Sequence, residues 1–294
     1  MFPEELGIKF KDYVESIRND GYSLMKKEKI VDELVVKIEN AVNSRTDGFV
    51  GIAFSGGLDS SIIAIAASKL NKNFMLLSVG FNDSDDIRFA VKIAREYGMP
   101  LKVKTIDDDE AERIVKDVAM ILGSDDVVSV GVGCVVYSVL EAAKEQGINV
   151  VLGGLGAEEI FAGYERHRKK CDEGHEEVHK ECWRGLENLY GQDLWRDERI
   201  ARHFGIRLLA PFLDDELIRY AMGIDPRLKV NKEKGKIILQ DAAMSIGLRK
   251  EYALRRKKAA QYGSDFDKAM KRLAKKNGFK HKKDYLGCLI KNRL

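Results

Sequence analysis

The chain has 294 residues, of which 45% are hydrophobic, 33% are charged and only 4 are proline. This composition is typical of one large or two small globular domains, and it excludes a disordered, collagen-like or low-complexity protein. The longest stretch without a charge, residues 127–140, is shorter than the about 20 apolar residues of a membrane span, and residues 1–5 show no signal segment. The four cysteines do not form the pattern of a disulfide framework, so we expect a cytoplasmic protein without a membrane partner.

The net charge of +3 hides an uneven distribution of charge along the chain. Residues 249–283 contain 14 Lys or Arg and 3 Asp or Glu, a local charge of +11 that leaves −8 for the rest. Such a basic tract either faces a polyanion or forms solvated helix faces. We favour solvated helices and do not expect nucleic acid to be the partner.

Hydrophobic periodicity predicts an alternation of strands and helices in the first half of the chain. The first 45 residues have a helical pattern, and helices are predicted again over residues 62–70 and 86–97. Between them lie short apolar runs that we predict to be strands, at residues 49–54, 74–81, 100–106 and 148–152. No comparable strand is predicted after residue 165, where the pattern is helical.

Strands that alternate with helices of 10 to 15 residues indicate an α/β fold, in which helices cover both faces of a parallel sheet. We therefore predict a single domain with three parts. Residues 1–46 form a helical lead-in, residues 47–164 an α/β core, and residues 165–294 a helix-rich half packed against that core.

A glycine-rich hexapeptide, Ser55-Gly-Gly-Leu-Asp-Ser60, follows the first predicted strand. Ligands of parallel sheets bind at the carboxyl ends of the strands, and two glycines followed by a helix N-terminus favour a phosphate there. Asp59 would repel a polyphosphate unless a divalent cation lay between them, so we interpret it as a Mg²⁺ ligand. An ordinary turn with Ser60 as helix N-cap is the alternative, but this string recurs by chance in only roughly 3 of 100,000 such chains.

This hexapeptide is the signature of the N-type ATP pyrophosphatases, and the chain resembles the asparagine synthetase family over roughly residues 30–270. The segments that carry the resemblance, in the order of the family, are Leu77–Gly80, Gly153–Tyr164, Glu198-Arg199, Pro211–Asp214, Lys236–Leu239 and Arg255–Lys257. Gln261–Ser264 is shared with asparagine synthetase domain-containing proteins that lack a glutaminase domain. The resemblance implies a Rossmann-like fold of the adenine nucleotide alpha hydrolase type.

The resemblance also implies an activity. ATP would be split between its α and β phosphates by attack of a carboxylate, and ammonia or an amine would then capture the acyl-adenylate to give an amide. The product would be asparagine if the carboxylate is aspartate, as in the family. ATP and Mg²⁺ are the implied cofactors, and a homodimer is left open.

Individual residues take roles by their positions in the family pattern. Those implied around the nucleotide and its pyrophosphate are Phe54, Ser55, Gly56, Gly57, Asp59, Ser60, Val79, Gly153 and Gly154. Asp59 and the catalytic residue Glu158 would hold Mg²⁺, whereas Glu159 either shares that role or caps a helix. Lys257 matches the lysine that stabilises the transition state, and Lys258 competes for this assignment. The implied substrate-pocket residues are Leu155, Arg199 and Asp214.

The chain departs from the family where the family contacts aspartate. Leu155 replaces a glutamate implicated in handling aspartate and ammonia, and leucine cannot accept a proton. Arg207, Leu209 and Gln240 also differ from the family residues, so asparagine synthesis is in doubt. Position 2 is Phe instead of the nucleophilic cysteine of a glutaminase domain, so we expect ammonia to come from solution or from a separate glutaminase partner.

Two alternative functions stay open at this stage. A tRNA-modifying adenylating enzyme could use the basic tract, although the absence of a CxxC pair argues against sulfur transfer. A non-catalytic ATP-binding subunit could complete a larger amidotransferase.

A separate set of soft ligands lies at helical spacing, namely Cys171, His175, His179 and Cys182. A pair of them could chelate zinc, but all four cannot reach one ion along about 16 Å of helix. A charged surface helix is the other interpretation. Trp183 and Trp195 are predicted to be core residues.

Overall fold

The computed structural model describes residues 3–18, 21–22, 25–256 and 258–291. Five parallel strands form its sheet, in the order β3-β2-β1-β4-β5. The strands are β1 (Val50–Ala53), β2 (Phe74–Gly80), β3 (Leu101–Thr105), β4 (Val150–Leu152) and β5 (Arg207–Leu209). The α/β fold with a parallel sheet between helices is confirmed.

Helices make up most of the rest of the described chain. In the first half they are α1 (Pro3–Ile17), α2 (Lys27–Asn43), α3 (Leu58–Lys69), α4 (Asp85–Glu96), α5 (Asp108–Leu122), α6 (Val127–Glu145) and α7 (Ala157–Ile160). In the second half they are α8 (Glu165–Lys170), α9 (His175–Leu189), α10 (Trp195–Phe204), α11 (Asp215–Met222), α12 (Pro226–Lys229), α13 (Ile237–Ser245), α14 (Lys250–Ala253), α15 (Ala260–Gly263), α16 (Phe266–Lys276) and α17 (Lys282–Lys291). A π-helical turn over Tyr190–Leu194 joins α9 to α10, and a 3₁₀ turn over Pro211–Leu213 precedes α11.

The prediction that no strand follows residue 165 is wrong, because β5 adds a fifth strand to the sheet. Its three residues are too few to show an alternating pattern. The strand forms by pairing with β4, in the register Val150↔Arg207 and Leu152↔Leu209, and the Arg207 N–H donates to the Asn149 carbonyl over 2.9 Å. Long-range pairing decides this element, and local sequence does not.

The strand order places a switch point at the centre of the sheet. The chain runs from β1 outwards through β2 to β3 and then returns to the other side of β1 with β4. The loops after β1 and β4 therefore leave adjacent strand ends in opposite directions. In open parallel sheets ligands bind in the crevice at such a point.

Two apolar clusters hold the helices against the two faces of the sheet. Neighbouring residues of β2 alternate between them, since Leu76 belongs to the cluster that contains α2, α3 and α13, and Leu77 to the cluster that contains α5, α6 and α16. Trp183 is fully buried, as predicted for a core residue, and Trp195 is half-buried.

Helix α6 is the one helix of the described residues that is long and apolar enough to cross a membrane. Its most apolar window is 56% buried inside the structure, and it packs against α5, α10 and β2. These contacts are typical of the core helix of a globular domain.

The basic C-terminal tract lies against acidic helices of the first half. Ion pairs join it to α4 and α5, and they are Arg249–Glu96, Lys258–Asp85, Arg272–Asp108 and Lys276–Glu112. The acidic body and the basic tract therefore neutralise part of each other's charge.

Candidate active site

The loop after β1, residues Ser55–Ser60, forms one wall of the site and is called the phosphate loop below. Gly56 has φ +62°, and a Cβ there would lie 3.0 Å from the backbone of Phe89, so this tight turn needs glycine. The Ser60 hydroxyl donates to the Gly57 carbonyl over 3.1 Å, and the Gly57 N–H donates to Ser55 Oγ over 3.4 Å. Ser60 is not the N-cap, because α3 begins at Leu58 with Gly57 at that position and no capping side chain. The N–H groups of the first helical turn are therefore not engaged by a cap.

The loop after β4, residues Gly153–Gly156, runs beside the phosphate loop and is called the glycine loop. Its start is fixed by a hydrogen bond of 2.8 Å from the Gly153 N–H to the Leu209 carbonyl. A Cβ on Gly154 would lie 2.9 Å from Asp59 Cβ, which is closer than such atoms approach in real proteins. Glycine is therefore required for the two loops to lie in contact.

Asp59 and Glu158, which the family pattern pairs as Mg²⁺ ligands, are brought together around a third side chain. Lys236 Nζ lies 2.8 Å from both carboxylate oxygens of Asp59 and 2.7 Å from Glu158 Oε1. Although burial opposes its charge, these two carboxylates raise the pKa of Lys236 above its ordinary value. The carboxylate pair is therefore arranged around a position that accepts a cation.

Lys236 reaches this position because the backbone around it is closely packed. It precedes α13 with φ +56°, an unusual conformation for a residue with a side chain, and its N–H donates to the Phe161 carbonyl over 3.2 Å. A Cβ on Gly163 would lie 1.8 Å from Glu158 Oε2, and one on Gly235 would lie 2.3 Å from the Ala162 carbonyl oxygen. These two glycines let the segments that carry Glu158, Ala162 and Lys236 lie close together.

Sequence reasoning missed the contact made by Lys236. That residue appeared only in a segment matched to the family, without a role. A signal was present, since a single lysine between Gly235 and the apolar start of α13 becomes buried if the helix packs. Buried lysines are rare unless they are paired, which points to a carboxylate partner.

A cavity of about 700 Å³ opens from the two loops. Many of the residues predicted to border the nucleotide or the substrate line it, namely Phe54, Ser55, Gly57, Asp59, Ser60, Val79, Gly153, Gly154 and Leu155. Gly56 and Glu158 lie in the same stretches of chain but do not line the cavity. Its volume is typical of small-molecule sites.

Arg199, predicted to be in the substrate pocket, does not line the cavity. It is exposed, and its guanidinium lies 5.1 Å from the centre of the Trp195 ring. Asp197 and Ala201, one turn apart on α10, face the cavity instead. Arg199 projects from the other side of the helix, about 200° from Asp197.

Asp214, the other charged residue predicted for the substrate pocket, also lies outside the cavity lining. Its carboxylate accepts from Arg45 over 2.8 Å and from the backbone N–H groups of Glu216 and Leu217 over 3.1 and 3.3 Å. These bonds cap α11. The structure therefore gives Asp214 a helix-capping role.

Only one of the two lysines proposed to stabilise the transition state lies among the described residues. Lys257 lies outside the described residues. Lys258 is exposed and pairs with Asp85 over 2.6 Å, on the outer side of α4.

The far wall of the cavity contains a charged cluster that sequence reasoning did not single out. Arg196 is buried and pairs with Asp193 over 2.6 Å and with Asp197 over 2.8 Å. Asp193 belongs to the π-helical turn Tyr190–Leu194, and such turns occur often at functional sites. The Tyr190 hydroxyl donates to Glu198 over 3.2 Å.

Glu159 faces away from the carboxylate pair and packs towards α9, where a Cβ on Gly185 would lie 3.4 Å from its Cγ. It is buried and accepts a hydrogen bond of 2.8 Å from the Tyr164 hydroxyl. Burial raises the pKa of Glu159 to about 7. Its position supports a structural role and not a shared metal site.

The four possible zinc ligands, Cys171, His175, His179 and Cys182, do not form a metal site. Helix α9 begins at His175 after Gly174, so Cys171 is not part of it. His179 accepts from Trp183 Nε1 over 3.1 Å, and Cys182 is buried beside them. Among the described residues no three His, Cys, Asp or Glu side chains could together hold a metal ion. The helix also has a buried face, so the surface-helix interpretation was only partly right.

Comparison with known proteins finds similarity over most of the chain. The asparagine synthase family model matches residues 33–173 and 170–291. The putative glutamine-hydrolysing asparagine synthetase 1 of Methanocaldococcus jannaschii is 35% identical over 281 residues, which are 84% of this chain and 52% of that protein. Glutamine-hydrolysing asparagine synthetases of Arabidopsis thaliana and Brassica oleracea are 31% and 30% identical over 68% of this chain and 36% of their own length. The chain thus spans about half, or less, of the curated relatives it matches.

Proposed function

The chain belongs to the asparagine synthase family, and from this premise we propose that it is an ATP-dependent amide-forming ligase. It would activate a small carboxylate as its acyl-adenylate and transfer the acyl group to ammonia or an amine. The observation that carries the proposal is the meeting of Asp59, Glu158 and Lys236 beside the phosphate loop. This meeting lies at the sheet edge where a nucleotide is expected.

The phosphate loop supplies the first binding step. The uncapped N–H groups at the start of α3 and the Ser55 and Ser60 hydroxyls would donate to phosphate oxygens. Ser55 Oγ and Ser60 Oγ lie 3.4 Å apart, so one phosphate group could be bonded by both. The apolar side chains of Phe54 and Val79 border the same space and would contact the nucleoside.

The carboxylate pair fits a divalent cation, because its oxygens already converge on the Lys236 ammonium at 2.7–2.8 Å. Asp59 and Glu158 would hold Mg²⁺, which when bound neutralises charge on the pyrophosphate group. Lys236 Nζ would then leave the bridge and donate to phosphate oxygens nearby. The negative charge of the phosphate oxygens would then take the place of the two carboxylates in stabilising the Lys236 ammonium.

The chemistry then has two displacements. The substrate carboxylate attacks the α phosphorus, the bond to the bridging oxygen of the β phosphate breaks, and pyrophosphate leaves. The nitrogen nucleophile next attacks the acyl carbon, the bond from that carbon to the AMP oxygen breaks, and AMP leaves. The nitrogen loses one proton to solvent, and the product is an amide. Lys236 and the N–H groups of the phosphate loop would stabilise the pyrophosphate leaving group.

Ammonia could come from solution or from a separate glutaminase partner. The family relatives named above are glutamine-hydrolysing, whereas the chain matches about half of their length or less. We expect ammonia to support amide formation by the chain.

Exchange of labelled pyrophosphate into ATP, measured across a panel of carboxylates, tests the proposal. Exchange should require both a carboxylate and Mg²⁺ and should vanish with a chelator. Asp59→Asn should reduce exchange by at least about 100-fold. The control Asp215→Asn removes a half-exposed carboxylate of α11 and should leave exchange unchanged. Exchange that is equal with and without chelator would contradict the metal assignment.

Measurements of ATP binding, AMP release and tRNA binding separate the alternatives. Mg²⁺-dependent ATP binding without exchange or AMP release on any acid would indicate a non-catalytic ATP-binding subunit. A salt-dependent complex with tRNA that is lost on charge reversal of Lys271, Lys275 and Lys276 would indicate a tRNA-modifying enzyme.

A further inference from the structure

Helix α6 exposes a row of valines to the cavity. Val132, Val135, Val136 and Val139 line it, and they are spaced so that they share one face of the helix. Three of them, Val132, Val135 and Val136, are only half-buried although most of their helix lies in the core. We call these four residues the valine stripe.

Further apolar side chains line the same cavity beside the charged cluster around Arg196. Leu155 of the glycine loop, Leu194 of the π-helical turn, and Ile206, Leu208 and Leu209 around β5 line it. Hydroxyl and carboxylate groups line the other end, at the phosphate loop. The cavity therefore joins a polar end suited to phosphates with an apolar end.

Four charged side chains at the apolar end, those of Arg196, Asp197, Glu198 and Arg202, already have charged partners. The Arg196 guanidinium is paired with two aspartates, and that of Arg202 lies 2.5 Å from Glu198. Breaking the Arg196 pairs to bind the charged groups of an amino acid would be costly because Arg196 is buried, whereas the Arg202–Glu198 pair is exposed and contributes little. Arg207 is exposed and also lines a neighbouring surface groove, so it is not enclosed with the apolar walls.

We propose that the carboxylate activated here belongs to a hydrophobic monocarboxylic acid, with an aliphatic or aromatic body that lies against the valine stripe. This inference rests on the proposed adenylating function and names its substrate class. The carboxylate would point towards the phosphate loop, where the α phosphorus of ATP must lie for attack. The apolar body would fill the space between α6 and β5.

The first experiment is pyrophosphate exchange with butyrate, hexanoate, octanoate and 3-phenylpropionate, each compared with aspartate. Because each methylene removed from water contributes about 0.8 kcal/mol, KM should fall about fourfold per added methylene until the space is filled. Exchange with aspartate or other polar acids in preference to these would overturn the inference but leave the proposed function standing. Exchange with no acid at all would overturn both.

The second experiment narrows the cavity. Val136→Phe places a larger side chain on the valine stripe and should raise KM for octanoate at least about tenfold while leaving butyrate nearly unchanged. Val128→Phe is the matched control, because Val128 lies on the same helix, is 56% exposed and does not line the cavity. Mg²⁺-dependent ATP binding should be the same in both variants. An equal loss with short and long acids, or weaker ATP binding in Val136→Phe alone, would place the stripe against the nucleotide and overturn the inference.

Discussion

Replacing Lys236 with methionine tests whether the ammonium holds the carboxylate pair together. Methionine keeps most of the apolar stem but removes the charge that lies 2.7 Å from Glu158 and 2.8 Å from Asp59. Two carboxylates then face each other without a cation between them. We expect the variant to be less stable without metal and to regain stability when Mg²⁺ is added.

The size of the effect follows from burial. Removing one partner of a fully buried pair costs about 3–5 kcal/mol. Here the Lys236 side chain is 10% exposed, but those of Asp59 and Glu158 are 23% and 38% exposed, so water screens part of the repulsion. We therefore expect a loss of about 2–3 kcal/mol. For a chain of this length that is about 3–5 °C in Tm.

Thermal unfolding of both proteins with and without Mg²⁺, in the absence of nucleotide, measures this effect. In the variant, Mg²⁺ at 100 times its Kd should recover about 2.7 kcal/mol, whereas the wild type should respond less because Lys236 already fills the position. Lys37→Met is the control, since it breaks an ion pair of the same 2.7 Å length on the surface and should cost under about 1 kcal/mol without any Mg²⁺ response. Equal stability and equal Mg²⁺ response of Lys236→Met and wild type would refute the reasoning.

Three further predictions address the neighbouring residues. The pKa of Glu159 is raised from 4.5 to about 7, so the unfolded chain loses its proton first and stability should fall by up to about 3 kcal/mol between those pH values. Glu159→Gln should remove that fall in denaturant unfolding at pH 5 and pH 8, and parallel pH profiles would contradict this. With ATP, Mg²⁺, aspartate and ammonia saturating, Leu155 should hold asparagine formation far below about one turnover per second, and turnover at that rate would show the leucine to be harmless. Gly163→Ala should displace Glu158, whose Oε2 would lie 1.8 Å from the new methyl group, and lower exchange activity, whereas Gly191→Ala meets no atom within 4 Å and should not.

The place of the phosphate loop between a strand and a helix could be predicted from sequence because its determinants are local. Ser55–Ser60 carries its own glycines, hydroxyls and helix start, and the apolar run before it specifies the strand end. The start of α3 at Leu58 follows from these neighbouring residues. The positive φ of Gly56 also suits glycine locally, but the close approach of Phe89 to this turn comes from a distant segment.

The position of the Lys236 ammonium between the two carboxylates could not be predicted in the same way. Asp59, Glu158 and Lys236 come from three distant parts of the chain, and no period in the sequence relates them. For the same reason β5 was missed, since its three residues become a strand only beside β4. Contacts decided by packing leave no local pattern.

Transfer of single charged residues from a family motif was the least informative step. Asp214 ends a well-matched segment, yet its carboxylate accepts from two backbone N–H groups of α11, which it caps, and from Arg45. Arg199 matches by order, but the face of α10 that reaches the cavity presents Asp197 instead. A motif match fixes where the backbone runs, and the direction of a side chain depends on helix phase and on competing partners.

Close packing of the backbone at glycines, and not charge attraction, brings Asp59 and Glu158 near each other. Asp59 and Glu158 would repel each other, yet a Cβ at Gly154 would meet Asp59 at 2.9 Å and one at Gly163 would meet Glu158 at 1.8 Å. Because these positions carry no methyl group, both carboxylates can lie within hydrogen-bond distance of the Lys236 ammonium. The positive charge of Lys236 offsets the repulsion between them. Because the spacing is set by glycines in the loops, the carboxylates should stay poised when the lysine moves away. A Mg²⁺ ion held by Asp59 and Glu158, as proposed above, would relieve the repulsion between them.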